Sequence, residues 1–206
     1  MAAKQPCHTF GYGIAYQGAD ILPATPFEPF LRLRLDGEVV ETHLVGAYNA
    51  TNVLAAIAVG DYFDVPRADA IAAIAEFIPD NNRSQMVRTA ANTLIVDAYN
   101  ANPSSMAVAL DNLALCTGRK VALLGDMREL GADSGAEHKK IVGRLKGVEA
   151  FLVGEEFTRA AAGTGIRCFA TSEDLAAYLQ EHPLTGCTIL VKGSRGTQME
   201  KVIKAL

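Results

Sequence analysis

The sequence lacks the patterns that identify several common classes of protein. Its four cysteines form no CxxC pair and its four histidines are not spaced as metal ligands, so no structural zinc site is expected. No signal peptide or long apolar run is present, which predicts a cytoplasmic protein with reduced, mostly buried thiols. The net charge of -4 provides no basic surface, so we expect neither nucleic acid nor a membrane as a partner.

Both glycine-rich phosphate-binding motifs are also absent. The chain contains no G-x-x-x-x-G-K-[ST] loop, and no G-x-G-x-x-G follows a predicted strand. The Gly11-Tyr12-Gly13 segment lies in a loop-like region without the strand and helix that such a motif needs. The chain as given therefore has neither of the usual devices for holding a triphosphate.

The composition is that of a folded protein, with 50% hydrophobic and 20% charged residues. From residue 85 onward, apolar runs typical of strands alternate with periodic segments typical of helices. The predicted strands are 93–96, 120–124, 148–153, 166–170 and 187–191. The predicted helices are 103–115, 135–145, 156–162, 172–181 and 197–206. Because parallel strands need crossover connections, we predict a doubly wound, mostly parallel, Rossmann-like α/β domain.

The first part of the chain predicts an incomplete α/β segment. Its first thirty residues are rich in Gly and Pro and are predicted to be mostly loop. Residues 31–44 alternate apolar and polar side chains around Asp36-Gly37, which predicts a β-hairpin. Two helices are predicted at 48–63 and 67–77.

A domain boundary is predicted after these helices. Residues 78–84 are polar and turn-prone, which is typical of a linker. We therefore assign residues 1–83 to one domain and residues 84–206 to a second.

Polar and glycine-rich residues follow four of the predicted strands, at 97–105, 125–131, 154–155 and 192–196. Ligands of open α/β sheets bind beyond the carboxyl ends of the strands. All four loops are therefore expected on one edge of the sheet.

Asn102 and Pro103 are predicted as the N-cap and first residue of a helix, whose free amides and positive dipole end favour an anion. Lys192 and Arg195, in a Gly-Ser-Arg-Gly loop, are cations suited to phosphate or carboxylate. A solvated turn explains these two cations equally well when they are considered alone. Together with Asn102, they favour an anion-binding edge.

Four further residues have both a chemical and a structural interpretation. Asp97 either accepts hydrogen bonds from a ribose or caps its own loop. Asp126, Glu129 and His138 are suited to acid–base chemistry, but a structural interpretation is favoured for these three. Glu129 is then a charge in the first turn of a helix, and His138 is a partly buried surface residue.

These residues together resemble the motifs of the Mur ligase family. The segment DAYNANPSSM at 97–106 is followed by LGDMRELG at 124–131, by His138 and by KGSR at 192–195. Several independent motifs in the same order make the resemblance specific. Upstream, GAYNATN at 46–52 resembles another element of the family, and Arg83 resembles its hinge arginine.

The resemblance covers nearly the whole chain but only about the carboxyl-terminal half of the family's architecture. Such ligases have an N-terminal UDP-sugar domain, a central ATPase domain with the phosphate loop, and a C-terminal Rossmann-like domain. The resemblance implies that residues 1–83 are the end of the central domain and 84–206 the C-terminal domain. A fragment of this kind is predicted to be inactive alone.

The resemblance also implies a reaction in peptidoglycan precursor synthesis. ATP would phosphorylate the carboxylate of UDP-N-acetylmuramoyl-tripeptide, and the amine of D-alanyl-D-alanine would attack the resulting acyl phosphate to form an amide. The implied cofactors are ATP and Mg²⁺, both bound mainly by the part of the family that carries the phosphate loop. The protein is expected to be a monomer.

The resemblance implies roles for individual residues. The implied catalytic residues are Lys192, Arg195 and His138. The residues implied to contact ATP are Asn49, Asn52, Arg83 and Asp97. The residues implied to hold the dipeptide are Asn100, Asn102, Ser104 and Asp126. No metal ligand is implied.

Two other functions remain open on the residues alone. One is a non-catalytic α/β module that binds a small anion or a nucleotide. The other is a doubly wound domain that serves only as a protein–protein scaffold.

Overall fold

The computed structural model describes residues 11–23, 30–79 and 85–206. The chain divides into two compact units, one formed largely by residues up to 77 and the other by residues from 78 onward, with residues 44–46 grouped with the second. Most of the predicted linker 78–84 lies outside the described residues, and so does Arg83. The predicted boundary after residue 83 stays a prediction.

The elements of the first unit are α1 (Ile14–Gln17), β1 (Asp20–Leu22), β2 (Phe30–Leu35), β3 (Glu38–Val45), α2 (Ala50–Tyr62) and α3 (Arg67–Glu76). The three strands form one sheet in the order β1-β2-β3. Asp36 and Gly37 have φ values of 50° and 86°, the left-handed pair that a tight two-residue hairpin turn requires. The predicted hairpin is confirmed, whereas β1 was not predicted because three residues between turn formers give no periodic signal.

The two predicted helices of the first unit are confirmed, but they are packed to different degrees. Helix α2 buries Val53, Leu54 and Ile57, whose spacing places them on one face. Helix α3 contains no buried residue. A short 3₁₀ turn, Ala47–Asn49, leads into α2.

In the residues that the structure describes, the second unit contains six strands and four α-helices. The strands are β4 (Gln85–Arg88), β5 (Thr93–Asp97), β6 (Arg119–Gly125), β7 (Glu149–Val153), β8 (Arg167–Phe169) and β9 (Cys187–Lys192). The helices are α4 (Pro103–Leu115), α5 (Ser134–Arg144), α6 (Glu155–Ala160) and α7 (Ser172–Glu181).

These strands form one sheet in the order β4-β5-β9-β6-β7-β8. Each adjacent pair from β5 to β8 is parallel, and only β4 pairs antiparallel, with β5. The predicted doubly wound, mostly parallel class is confirmed. Strand β4 was not predicted because the Gln85-Met86-Val87-Arg88 segment is short and half polar.

Helices cover both faces of this sheet. Helix α7 and the segment Met199–Ala205 pack against a core that includes Leu123, Ile189 and Leu175. Helices α4, α5 and α6 pack side by side on the other face. The chain runs from β5 to β6, β7 and β8 through α4, α5 and α6, and it then returns to β9 through α7. Because crossovers between parallel strands are right-handed, a return in the opposite direction along the sheet places α7 on the opposite face.

The prediction of a helix over 197–206 is wrong. The structure has two 3₁₀ segments there, Arg195–Thr197 and Met199–Ala205, separated by Gln198. Gln198 has a φ of 49°, and a left-handed residue interrupts the hydrogen bonding of an α-helix. Of the described helices, none has both the length and the apolar character needed to cross a membrane.

Candidate functional site at the carboxyl edge of the sheet

The loops after β5 and β9 meet at the carboxyl ends of two neighbouring parallel strands. Asp97 and Lys192 are register partners, and each ends its strand. The ends of β6, β7 and β8 continue the same edge, since Gly125 pairs with Val153 and Val153 with Phe169. The prediction that the polar loops share one edge is confirmed.

A buried ion pair joins the first two loops. The Lys192 Nζ atom lies 2.5 Å from Asp97 Oδ2 and donates to the carbonyl of Asn100 at 3.1 Å. The Lys192 side chain is only 1% exposed. Lys192 and Asp97 therefore stabilise the loop that leads into α4, and their predicted catalytic and ATP-binding roles stay predictions.

The start of α4 is formed as predicted. Asn102 Oδ1 accepts hydrogen bonds from the Ser105 amide at 2.8 Å and from Ser104 Oγ at 2.9 Å, and Pro103 is the first helical residue. Asn100 Oδ1 accepts from the Ala101 amide at 2.8 Å. The acceptor atoms of both asparagines are thus used within the loop, which leaves their Nδ2 groups as donors for a ligand.

Arg195 lies at the same edge with an accessible guanidinium group. Its Cζ atom is 5.8 Å from the centre of the Tyr99 ring, in cation–π contact. Within the described part of the chain it forms no ion pair. This cation is therefore positioned beside the loop that leads into α4.

Asp126 has a structural contact for each carboxylate oxygen. Its Oδ2 and Oδ1 atoms accept from the amides of Glu156 at 3.0 Å and Phe157 at 2.8 Å, so it caps α6 from a different loop. Its carbonyl accepts from the amide of Ser194 at 3.2 Å and from Ser194 Oγ at 2.5 Å. Each carboxylate oxygen thus accepts one backbone amide, and the predicted dipeptide contact of Asp126 stays a prediction.

His138 lies inside the fold, and the catalytic role predicted for it stays a prediction. The ring is fully buried, its Nε2 atom lies 3.0 Å from the Met127 amide and its Nδ1 atom 2.7 Å from the Ser134 carbonyl. An amide can only donate and a carbonyl only accept, so Nδ1 carries the proton and the ring is neutral. Both nitrogens are therefore engaged inside the fold.

A cleft of about 740 Å³, which we call the carboxyl-edge cleft, opens beyond β6, β7 and β8. Its walls are formed by residues 126–131, 153–156, 170–173 and 196–198, with Ser134 at one side. The cleft is thus in the position where ligands of open α/β sheets bind. All of its walls belong to the second unit.

Arg128 and Glu129 are the exposed charged residues that follow Asp126 into this cleft. A Cβ atom at Gly196 would lie 2.7 Å from Arg128 Nε, so the guanidinium group lies directly over the loop after β9. Glu129 has a φ of 65°, a left-handed conformation that is uncommon for this residue type. Sequence reasoning did not select Arg128, although a cation three residues beyond the glycine that ends β6 was a usable signal.

Glycines allow the backbones of these loops to approach each other. A Cβ atom at Gly193 would lie 2.6 Å from Thr197 Oγ1, and one at Gly125 would lie 2.5 Å from the same atom. At Gly154, where φ is 111°, it would lie 2.3 Å from the Asp126 carboxyl carbon. The edge is therefore too tightly packed for side chains at these three positions.

The charged wall formed by α7 is ion-paired. Glu173 accepts a hydrogen bond from Lys201, which lowers the pKa of this carboxyl group from its ordinary value. Among the described residues, no group of three or more His, Cys, Asp or Glu side chains could hold a metal ion.

The two asparagines predicted to lie by the adenine belong to the first unit. Asn49 ends the 3₁₀ turn before α2, and Asn52 Nδ2 donates to Asn49 Oδ1 at 3.1 Å. Their contact with a nucleotide stays a prediction, as does that of Arg83.

Comparison with known proteins identifies the relatives of this chain. The family model described as "Mur ligase, glutamate ligase domain" matches residues 82–195. The UDP-N-acetylmuramoyl-tripeptide–D-alanyl-D-alanine ligase of Bacillus subtilis is 31% identical over 176 residues, which cover 79% of this chain and 38% of that protein. The ligase of the same name from Escherichia coli is 35% identical, with the same coverage of both chains.

Solved structures give the same result. A crystal structure of MurF from Acinetobacter baumannii superposes with a TM-score of 0.76 and 28% identity, covering 90% of this chain and 43% of that one. This chain spans about two fifths of the length of the curated relatives it matches. With the family model matching more than half of its residues, the chain belongs to the Mur ligase family.

Proposed function

We propose that this chain is the acceptor-handling part of an ATP-dependent ligase that joins D-alanyl-D-alanine to UDP-N-acetylmuramoyl-tripeptide. The names of the curated relatives support this substrate pair. The observation that carries the proposal is that most walls of the carboxyl-edge cleft, from residues 126 to 173, lie inside the family match at 82–195.

The cleft suits a small zwitterion such as D-alanyl-D-alanine. A volume of about 740 Å³ exceeds the size of a dipeptide, so the ligand has room together with water. Arg128 forms no ion pair among the described residues and is the group we assign to the dipeptide carboxylate, which guanidinium groups bind in a fork geometry. Glu129 is the group nearest in sequence for the dipeptide ammonium.

The second step of the reaction is the one that this chain would assist. The dipeptide ammonium group loses a proton to water, and the free amine attacks the acyl carbon of the acyl phosphate to form the new C–N bond. The tetrahedral intermediate then loses the second proton of the nitrogen, and its C–O bond to phosphate breaks, so that inorganic phosphate leaves. Negative charge develops on the acyl oxygen of the tetrahedral intermediate and on the departing phosphate. Asn100 and Asn102 offer amide donors to these oxygens, and Arg195 offers a cation. Holding the amine against the acyl carbon contributes further through orientation.

The chain contributes less to ATP itself. It has no phosphate loop, so ATP and Mg²⁺ would be held mainly by another part of the enzyme. Asn49, Asn52, Arg83 and Asp97 are the residues of this chain that we propose for contacts with ATP. ATP supplies the phosphoryl group that activates the tripeptide carboxylate.

The proposal is tested by a chimaera in which this chain replaces the matching part of the Bacillus subtilis ligase. We expect ADP formation that requires both UDP-N-acetylmuramoyl-tripeptide and D-alanyl-D-alanine, with the pentapeptide product identified by mass. This chain alone should form no ADP. A soluble, folded chimaera that makes ADP with no need for the dipeptide would contradict the proposal.

A non-catalytic binding module is the second candidate. It is favoured by an accessible cleft in a chain without a phosphate loop, in which Arg128 forms no ion pair with any residue that the structure describes. Calorimetric titration of the chain separates the two functions. Tight, saturable binding of ATP or dipeptide by a chain whose chimaera is inactive would favour the module.

A further inference from the structure

A buried histidine below the carboxyl-edge cleft makes contacts that the proposed reaction does not use. His138 lies on α5, and its ring packs edge-to-face on Phe157 with ring centres 4.6 Å apart. The Nε2 atom accepts from the Met127 amide at 3.0 Å, one residue before Arg128. We propose that His138 is a positioning residue, which fixes the loop after β6 so that Arg128 faces the cleft.

The geometry of the loop supports this role. Asp126 is held through its carboxylate by α6 and through its carbonyl by Ser194. Met127 is held by His138, and its side chain is buried. The next two residues, Arg128 and Glu129, are exposed, and the chain then turns sharply through the left-handed Glu129. The direction in which Arg128 leaves the fold is therefore set by the residues immediately before it.

Helix α5 holds the loop after β6 through the hydrogen bond from the Met127 amide to His138. Four elements hold the loop, namely β7, α6, the loop after β9, and α5. Without an acceptor at the Nε2 position, the Met127 amide would be buried without a partner, and the loop would move to reach water. Arg128 would then lose its fixed orientation, while the sheet below would keep its hydrogen bonds.

Two variants of similar size separate this role from general packing. His138→Gln keeps a strong acceptor near the Nε2 position, whereas the thioether sulfur of His138→Met accepts only weakly, and both lose the Nδ1 donor to Ser134. In the 206-residue chain, we expect amide hydrogen exchange at Met127 to be slow in the wild type and His138→Gln and at least about tenfold faster in His138→Met. The Leu123 amide in β6 should remain protected in all three. Equal exchange at Met127 in the two variants would overturn the proposal.

The kinetic test rests on the proposed function and uses the active chimaera. His138→Met should raise the KM for D-alanyl-D-alanine about tenfold, with little change in kcat or in the KM for ATP, because one oriented cation is lost. Arg128→Ala should raise the same KM, and the double variant should add little to it, since both changes remove one interaction. Gly143→Ala, on the same helix with open space around it, is the matched control and should change neither constant. Additive effects of His138→Met and Arg128→Ala would contradict the proposal.

A measurement on the wild-type chain remains informative if the methionine variant fails to fold. The ¹⁵N chemical shifts of the His138 ring should identify a neutral imidazole with the proton on Nδ1. A proton on Nε2 would be incompatible with the Met127 contact and would overturn the inference. An inactive chimaera would count against the proposed function alone, since the exchange and chemical-shift measurements do not depend on activity.

Discussion

The two compact units of this chain bury their apolar residues to different degrees. In the second unit, the central strands β5, β6 and β9 are covered on both faces, and Leu123 and Ile189 are fully buried. In the first unit, α3 buries no residue, and Tyr16 and Phe63 are 71% and 70% exposed. The second unit thus closes its own core, and the carboxyl-edge cleft lies at the edge of the sheet that carries this core.

The largest expected effect is the loss of stability when the buried ion pair of the second unit is broken, which tests how far this unit depends on its core. Lys192→Ala leaves the Asp97 carboxylate without its partner, which should destabilise the unit by about 3–5 kcal/mol. Urea unfolding measures the loss. Lys201→Ala, at an exposed pair, is the control and should change stability little.

A second prediction concerns the small core of the first unit. Leu54 is fully buried in α2, so Leu54→Ala should cost about 2–4 kcal/mol of that unit's stability. Ile74→Ala in the poorly packed α3 should cost only about 1 kcal/mol. Hydrogen exchange of α2 amides measures both, and equal losses would show that α3 is as well packed as α2.

The tight packing at the carboxyl edge leads to a third prediction. Gly193→Ala places a methyl group against Thr197 and Met199 and should destabilise the second unit by about 1–3 kcal/mol. Gly143→Ala, in α5 with no neighbour within 4 Å, should instead stabilise it by about 0.5–1 kcal/mol. Thermal unfolding of the two variants in parallel measures the contrast, and shifts in the same direction would contradict it.

Asn102→Asp separates the capping role of this residue from its proposed role in catalysis. Aspartate caps a helix as well as asparagine does, so stability should change by less than about 0.5 kcal/mol. The amide donors are lost, and the chimaera should become less active. A stable variant with full activity would restrict Asn102 to its structural role.

The smallest predicted effect is a pH dependence at the wall of the cleft. Lys201 lowers the pKa of Glu173 in the folded chain, so the pair contributes stability above the ordinary value of 4.5 and loses it as the pH falls through the lowered pKa. Unfolding curves of wild type and Lys201→Ala should therefore differ slightly near neutral pH and converge in acid. A difference that grows in acid would have the wrong sign.

Local signals in the sequence predicted much of the fold. Asp36-Gly37 specified a hairpin turn and Asn102-Pro103 a helix start, because their conformations depend on adjacent residues. Nothing in the local sequence indicated the left-handed backbone of Gln198, and the predicted terminal helix was therefore wrong. Strand β4 depends on its pairing with β5, which has no local signal.

The candidate site was predictable in position but not in contacts. The order of strands and loops placed Lys192 and Asp97 on one edge. That Lys192 is buried, that Asp126 caps α6 and that His138 binds the Met127 amide depend on residues far apart in the chain. Arg128 became a candidate only once the structure showed its guanidinium group over Gly196 in the cleft.

Steady-state kinetics of the chimaera with the Arg128→Ala change tests the central claim most directly. If the second unit holds the dipeptide carboxylate through Arg128, the KM for D-alanyl-D-alanine should rise at least about tenfold. Arg67→Ala, which removes an exposed cation paired with Asp61 in the first unit, should leave that KM unchanged. An unchanged KM in Arg128→Ala, or an equal rise in both variants, would contradict the account.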